Sequence, residues 1–319
     1  MTTYHIGDFV EQRVAFGQAL LDLGAEFSDL VVLDPDVGAS TRTASFRDKY
    51  PERFFQTGIA EQDMVGIAAG LSTMGFIPVA SAFAVFLTHR SGDQIRNSIA
   101  HTGAHVILNG AYGGLPTGGA GATHSAVEDV ALMRALPGMI VIDPADATEV
   151  ALFLRLAVEG KVPVYLRTVR CGVPVIFDET HKVTIGKAVP LSEGNSISVI
   201  STGMMTVRTK DAVAALAKKG VKVKHLHIPT IKPLDTAAVL DAAKNGAIVT
   251  VENHSVIGGL GSAVAETIAE EGVACKLTRL GFQDIFLETG SDEALFDQYG
   301  LSEAKIVSAI AGAIHQIHG

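Results

Sequence analysis

With 319 residues, 48% of them apolar, the chain exceeds one typical domain and carries enough hydrophobic material for two cores. Its net charge of −9, with no clustered run of Lys and Arg, excludes nucleic acid and anionic membrane as principal partners, because both require a basic face. Cys171 and Cys275 are the only cysteines and lie far apart in sequence, so neither a disulfide framework nor a zinc site is supported, and a cytoplasmic location is expected.

The segment MTTYHIGDFVEQ lacks the basic start and apolar core of a signal peptide. Beyond it, strand-like runs alternate with helical ones, the pattern of parallel sheets covered by helices on both faces. The periodicity predicts a helix over 8–23, strands at Leu30–Leu33 and Arg53–Gln56, and a helix over Ala60–Met74. Next come a strand at Ile77–Ala80, one helix over Ala84–Ala100, and a strand at His105–Asn109 that opens into a glycine-rich loop. A helix near Val127–Ala135, the strand Met139–Ile142, a helix from Asp146 and the strand Val164–Arg167 complete a first unit. The stretch Met64–Thr88 has no charged residue and is long enough to span a bilayer. Gly66, Gly70, Gly75 and Pro78 interrupt it, however, so it reads as a buried helix followed by a buried strand.

After Arg170 the segment CGVPVIFDETHK has turn residues and no helical period, and it reads as a linker. A second α/β unit follows, with strands at Ser198–Ser201, Val221–His227, Ala247–Glu252 and Lys276–Leu280 and helices over Arg208–Lys219 and Gly261–Glu270. The expected architecture is two consecutive α/β/α sandwich domains, over residues 1–175 and 191–319, the second smaller, with a linker at 176–190.

The most informative segment is FFQTGIAEQDMVGIAAGL, residues 54–71, where a strand ends, Gly58 permits a turn and a helix begins. Glu61 then sits in a first helical turn, where the helix dipole favours a carboxylate and burial against Ile59, Met64 and Val65 favours the acid. Completing the helix start is the bland alternative. GIAEQDMVGIAAGL followed by FIPVASAFAVF resembles the pyrimidine-binding segment of transketolases. The resemblance implies thiamine diphosphate as cofactor. It implies that Glu61 bonds N1′ of the aminopyrimidine and thereby activates the thiazolium carbon, and that Phe83 and Phe86 flank the ring.

Residues 110–124, GAYGGLPTGGAGATH, hold six glycines directly after a predicted strand, so the backbone there is free to approach a ligand closely. No Gly-Lys-Ser/Thr follows, which excludes a Walker-type loop. This segment resembles the transketolase loop ending in Thr-His, and the match makes His124 a substrate-binding group that exchanges protons with the donor sugar. Two departures stand out. Ala120 replaces an aspartate that selects sugar hydroxyl configuration, and Tyr112 replaces a histidine that contacts the substrate phosphate.

By the same resemblance Arg13, Ser40 and Arg170 hold a sugar phosphate, since guanidinium forks suit a phosphate dianion. Arg167 is a further candidate, and Asp36 matches a position near the cofactor. The family holds the diphosphate through Mg2+ or Ca2+ bound by a Gly-Asp-Gly start and a later asparagine. This sequence has Gly-Asp only at Gly7-Asp8 and Gly92-Asp93, neither continued correctly. The resemblance therefore implies the C-terminal subunit of a split transketolase. Its partner is an N-terminal, diphosphate-binding subunit that brings the metal, and an α2β2 heterotetramer with self-association of the short chains is expected. Rival readings are a 1-deoxyxylulose-5-phosphate synthase-like or 2-oxo acid dehydrogenase β-like subunit, and a non-catalytic assembly subunit. In GGLGSAV from Gly258 the third glycine of a dinucleotide loop is absent, and helix packing is the better reading.

Overall fold

Runs such as LVVLD at 30–34 and VYLRT at 164–168 are buried at every position, a pattern that suits strands covered on both faces. The computed structural model describes residues 2–318. In chain order its strands are β1 (Phe9–Glu11), β2 (Leu30–Asp34), β3 (Phe54–Gln56), β4 (Ile77–Phe83), β5 (Ile107–Ala111), β6 (Ile140–Ile142) and β7 (Val164–Thr168). They continue with β8 (Gly172–Pro174), β9 (Val189–Ser192), β10 (Ile197–Ser201), β11 (Val223–His227), β12 (Thr230–Lys232), β13 (Ala247–Ser255) and β14 (Lys276–Phe282).

Two α/β units result, each a mainly parallel sheet between helical layers. The first sheet has the order β12-β6-β7-β5-β4-β2-β3 and is parallel except at β12. One face is covered by the helices Gln12–Glu26 and Ala147–Glu159 through Phe16, Leu20, Leu23, Phe153 and Leu154. The other is covered through Met64, Val65, Leu87, Ile95, Ile99 and Met133. The second sheet has the order β14-β13-β10-β11-β9, antiparallel only at β9. Helices Met205–Ala217 and Glu303–His318 lie on one side of it, and Thr236–Ala243 and Leu260–Glu270 on the other.

Two expectations need correction. Residues 9–11 are a strand and not the start of a helix, and they pair antiparallel with β8 inside the segment expected to be a linker. Each strand has only three residues, too few for a period of two to declare itself. The single helix expected over Ala84–Ala100 is broken at Ser91 into Ala84–Arg90, Gly92–Gln94 and a wider π-helical turn Ile95–Ala100. The stretch Met64–Thr88 is, as expected, a helix (Glu61–Thr73) followed by the buried strand β4, with the helix Ala84–Arg90 after it, and among the described residues no helix is long and apolar enough to cross a membrane.

The units are joined by more than chain continuity. Strand β12, from the second half of the chain, adds to the edge of the first sheet, and the buried Glu149 carboxylate meets His227 Nε2 at 2.8 Å. At the N-terminus of the helix Leu260–Glu270 the buried Glu252 carboxylate accepts the N–H groups of Leu260 at 2.7 Å and Gly261 at 2.8 Å. The helix start within GGLGSAV is thus satisfied by a side chain from the preceding strand β13.

Burial pushes the Glu252 carboxyl up to about 7 from 4.5, although both N–H groups act against it. A carboxyl raised in this way holds its proton better in the folded chain. Its contribution to stability is present below about 4.5 and is lost as pH rises to about 7. Asp143, raised to about 6, acts in the same sense, and the buried His225, pushed down to about 3, acts in the opposite one. Comparing Glu252→Gln with the parent chain isolates the first effect. The difference in Tm should move in favour of the variant across that window, and a difference independent of pH would contradict the assignment.

Candidate active site

In an open parallel sheet, functional groups gather beyond the carboxyl ends of the strands. Five neighbouring strands, β7-β5-β4-β2-β3, deliver the candidate residues to that edge. After β2, the buried Asp34 carboxylate accepts from Val37 N–H at 2.7 Å and from the hydroxyls of Thr41 and Thr43, which shapes the loop carrying Asp36 and Ser40. After β3, Gly58 turns the chain at φ 72°, and Glu61 opens the helix Glu61–Thr73. Strand β4 ends at Phe83, with Phe86 and Arg90 one turn apart on the helix that follows. Tyr112 and His124 follow β5, and Arg170 follows β7.

These residues form one line of contacts. Glu61 is 5% exposed, and its Oε1 accepts from Arg90 Nη1 at 3.0 Å. The Arg90 guanidinium lies over the Phe86 ring, 4.3 Å from its centroid. Phe86 stacks on Phe83, with centroids 5.7 Å apart and planes 24° apart, and Phe83 stacks more closely on Tyr112, at 4.2 Å and 20°. His124 sets its ring edge-on to Phe86 at 5.2 Å and to Phe83 at 6.0 Å, while its Nδ1 lies 2.9 Å from the Thr123 hydroxyl. At the far end Arg13 Nη1 donates to the Tyr112 hydroxyl at 2.9 Å and to the Ser40 carbonyl at 3.1 Å. Arg170 is exposed, and its guanidinium lies 5.5 Å from the centroid of the Tyr112 ring.

Several expectations change on this geometry. Ile59 does not shield Glu61, since it is 78% exposed. Ser40 meets Arg13 through its carbonyl and not its hydroxyl. Asp36 is exposed and engages Gln56, which accepts its N–H at 2.9 Å; among the described residues no hydrogen bond or ion pair joins Asp36 to the aromatic line. Tyr112 takes a left-handed backbone at φ 63°, unusual for a bulky residue and held here by the Phe83 stack and the Arg13 hydrogen bond. Two arginines were not singled out from the sequence. Arg90 pairs with Glu61, and Arg42 adds to the basic cluster, 3.8 Å from a Glu11 carboxylate that also binds Arg13.

The glycine-rich loop also departs from expectation. Its glycines mostly admit protein, not ligand: an added Cβ would lie 2.1 Å from the Tyr165 hydroxyl at Gly110, 2.6 Å from Arg167 Nε at Gly113 and 2.2 Å from Asn253 Nδ2 at Gly114. Arg167 is fully buried and so is no candidate for substrate. It donates to Asp129 at 2.8 Å and 3.1 Å, to Asp143 at 3.4 Å, and to the carbonyls of Ala126 and Asn253 at 3.0 Å each.

The arrangement offers a buried carboxylate and a flat aromatic surface at one end, a partly buried imidazole beside them, and guanidinium groups at the other. A flat heterocycle with an N–H donor fits the first end, and a tetrahedral anion fits the second. Among the described residues no group of three His, Cys, Asp or Glu is placed to hold a metal ion.

Comparison with known proteins places this geometry in context. The family model for the transketolase pyrimidine binding domain matches residues 10–174, and that for the transketolase C-terminal domain matches 186–306. A 6-deoxy-6-sulfo-D-fructose transketolase subunit of Clostridium sp. (strain MSTE9) is 37% identical, over 93% of this chain and 92% of its own length. An apulose-4-phosphate transketolase chain of Phocaeicola vulgatus is 34% identical, over 92% and 94%. A solved structure described as a split gene transketolase, inactive beta4 tetramer, superposes with a TM-score of 0.87 at 40% identity, covering 97% of this chain and 99% of that one.

The packing of Gly113 against Arg167 is directly testable. Gly113→Ala should lower stability by roughly 1–3 kcal/mol in urea unfolding, the usual cost of overpacking. Gly119→Ala, where an added Cβ meets nothing within 4 Å, should change it little. Equal effects of the two substitutions would contradict the packing role.

Proposed function

This chain belongs to the transketolase family, and from that premise we propose that it is the C-terminal subunit of a two-chain, thiamine-diphosphate-dependent transketolase. It moves a two-carbon ketol unit from a ketose to an aldose bearing a terminal anion. The observation that carries this reading is the continuous line from the Glu61 carboxylate across Phe86, Phe83 and Tyr112 to Arg13 and Arg170.

In this proposal Glu61 holds a proton at N1′ of the aminopyrimidine, and its 5% exposure keeps water from competing for that hydrogen bond. Phe83 and Phe86 seat the ring. The cofactor when bound supplies a nucleophilic thiazolium carbon. His124, edge-on to both phenylalanines, exchanges protons with substrate hydroxyls. Arg13, fixed by Tyr112 and the Ser40 carbonyl, and the exposed Arg170 bind the terminal anion. Relatives named for a sulfo-sugar and for a sugar phosphate support a tetrahedral anion at that end, and Ala120 leaves room for a sugar without the usual hydroxyl pattern.

The diphosphate and its Mg2+ or Ca2+ belong to an N-terminal partner subunit. The lack of a complete Gly-Asp-Gly motif in this sequence supports that division, and so does the likeness to a split-gene chain. We expect an α2β2 heterotetramer in which the short chains also contact each other, in keeping with the β tetramer of that relative.

Reconstitution with the partner, thiamine diphosphate and magnesium tests the reading. Ketol transfer should require both chains, and Glu61→Gln should lower kcat by about 100-fold or more, the usual worth of a positioned proton-transfer group; retained turnover would sink the proposal. Arg170→Ala should raise KM for an anionic sugar about tenfold to 100-fold, as expected for a lost charged hydrogen bond, and should spare uncharged analogues. Equal losses for both substrates would remove Arg170 from anion binding.

A further inference from the structure

Arg90 makes two of the three contacts that the proposed function assigns to the heterocycle. Its Nη1 donates to Glu61 Oε1 at 3.0 Å, and its guanidinium lies over the Phe86 ring, 4.3 Å from the centroid. A guanidinium shares with an aminopyrimidine protonated at N1′ a planar π surface and an in-plane N–H that a carboxylate accepts. A ring seated on Phe86 and bonded to Glu61 would have to share both groups with this guanidinium or displace it.

We propose that Arg90 is an internal stand-in for the aminopyrimidine, a self-capping side chain that holds Glu61 and covers Phe86 until the cofactor displaces it. This rests on reading Glu61 and Phe86 as the seat of the ring. A buried carboxylate without a partner is costly, and Arg90 removes that cost in the cofactor-free chain. The arginine is suited to leave. It is the last residue of a short helix, its side chain is 50% exposed, and it borders a recess of about 590 Å³ lined by Ile59, Ala60, Glu61, Gln62 and Asp63. The adjacent His89 is paired elsewhere, its Nε2 2.6 Å from a Glu128 carboxylate oxygen, while Arg90 pairs with Glu61.

Capping of this kind lowers the fraction of chains ready to bind, so it slows association without touching the bound state. The test is thiamine diphosphate binding to the assembled two-chain complex, followed by stopped-flow near-UV circular dichroism and by calorimetry. Arg90→Ala and Arg90→Gln should associate about fivefold to tenfold faster than the parent, with an unchanged dissociation rate and a correspondingly lower Kd. Arg90→Lys, which keeps the charge and loses the flat fork, should fall between. Association at the parental rate, or weaker binding, in both Arg90→Ala and Arg90→Gln would overturn the stand-in while leaving the seat intact. Cofactor binding unaffected by Glu61→Ala, or no binding by the parent complex, would overturn the seat and the stand-in together.

Discussion

The buried guanidinium of Arg167 is the constraint on which the arrangement of the site depends. A charge removed from water must be met on every side, and here two carboxylates and two carbonyls meet it. Those partners come from the turn after β6, from the loop after β5, from the helix that follows that loop and from β13 of the second unit. One side chain therefore fixes the loop bearing Tyr112 and His124 to both halves of the chain. Asp129 is held below the usual carboxylate range despite its burial, chiefly because Arg167 faces it, and it also accepts the Tyr165 hydroxyl at 2.6 Å. Gly110, Gly113 and Gly114 follow from the same packing, because Tyr165, Arg167 and Asn253 leave no room for a Cβ.

Around this anchor the site divides by chemistry. Charges that organise the fold are fully buried and paired, as with Arg167 and with Glu149 between His181 and His227. Other arginines near the aromatic line lie at the rim: Arg170 is exposed, Arg42 is 45% exposed, and Arg90 is half exposed. Between them runs a stack of aromatic rings, Phe86, Phe83 and Tyr112. Tyr112 is the joint in that stack, since its ring continues the surface from Phe83 while its hydroxyl fixes Arg13.

Much of this was legible in the sequence because it depends on local pattern. Strand, Gly58 turn and helix start are written in neighbouring residues, and they place Glu61 beyond one strand end with Phe83 and Phe86 at another. What escaped depends on residues distant in the chain. Nothing near Arg167 announces that Asp129 and Asp143 will close around it, so by sequence alone it stands as a candidate for phosphate binding. Arg90 at the end of a helix is indistinguishable from a surface charge until the break at Ser91 and its approach to Glu61 are seen. Strand β12 joins a sheet whose other members all precede residue 170, and the β1–β8 ribbon is three residues long.

The central claim is that the Glu61 carboxylate and the Phe86 ring together seat one flat heterocycle. The most direct measurement is an experimental structure of the two-chain complex with thiamine diphosphate. The account requires N1′ within hydrogen-bond distance of Glu61, the ring stacked on Phe86 and Arg90 turned aside. A ring bound elsewhere, with Glu61 still paired to Arg90, would contradict it.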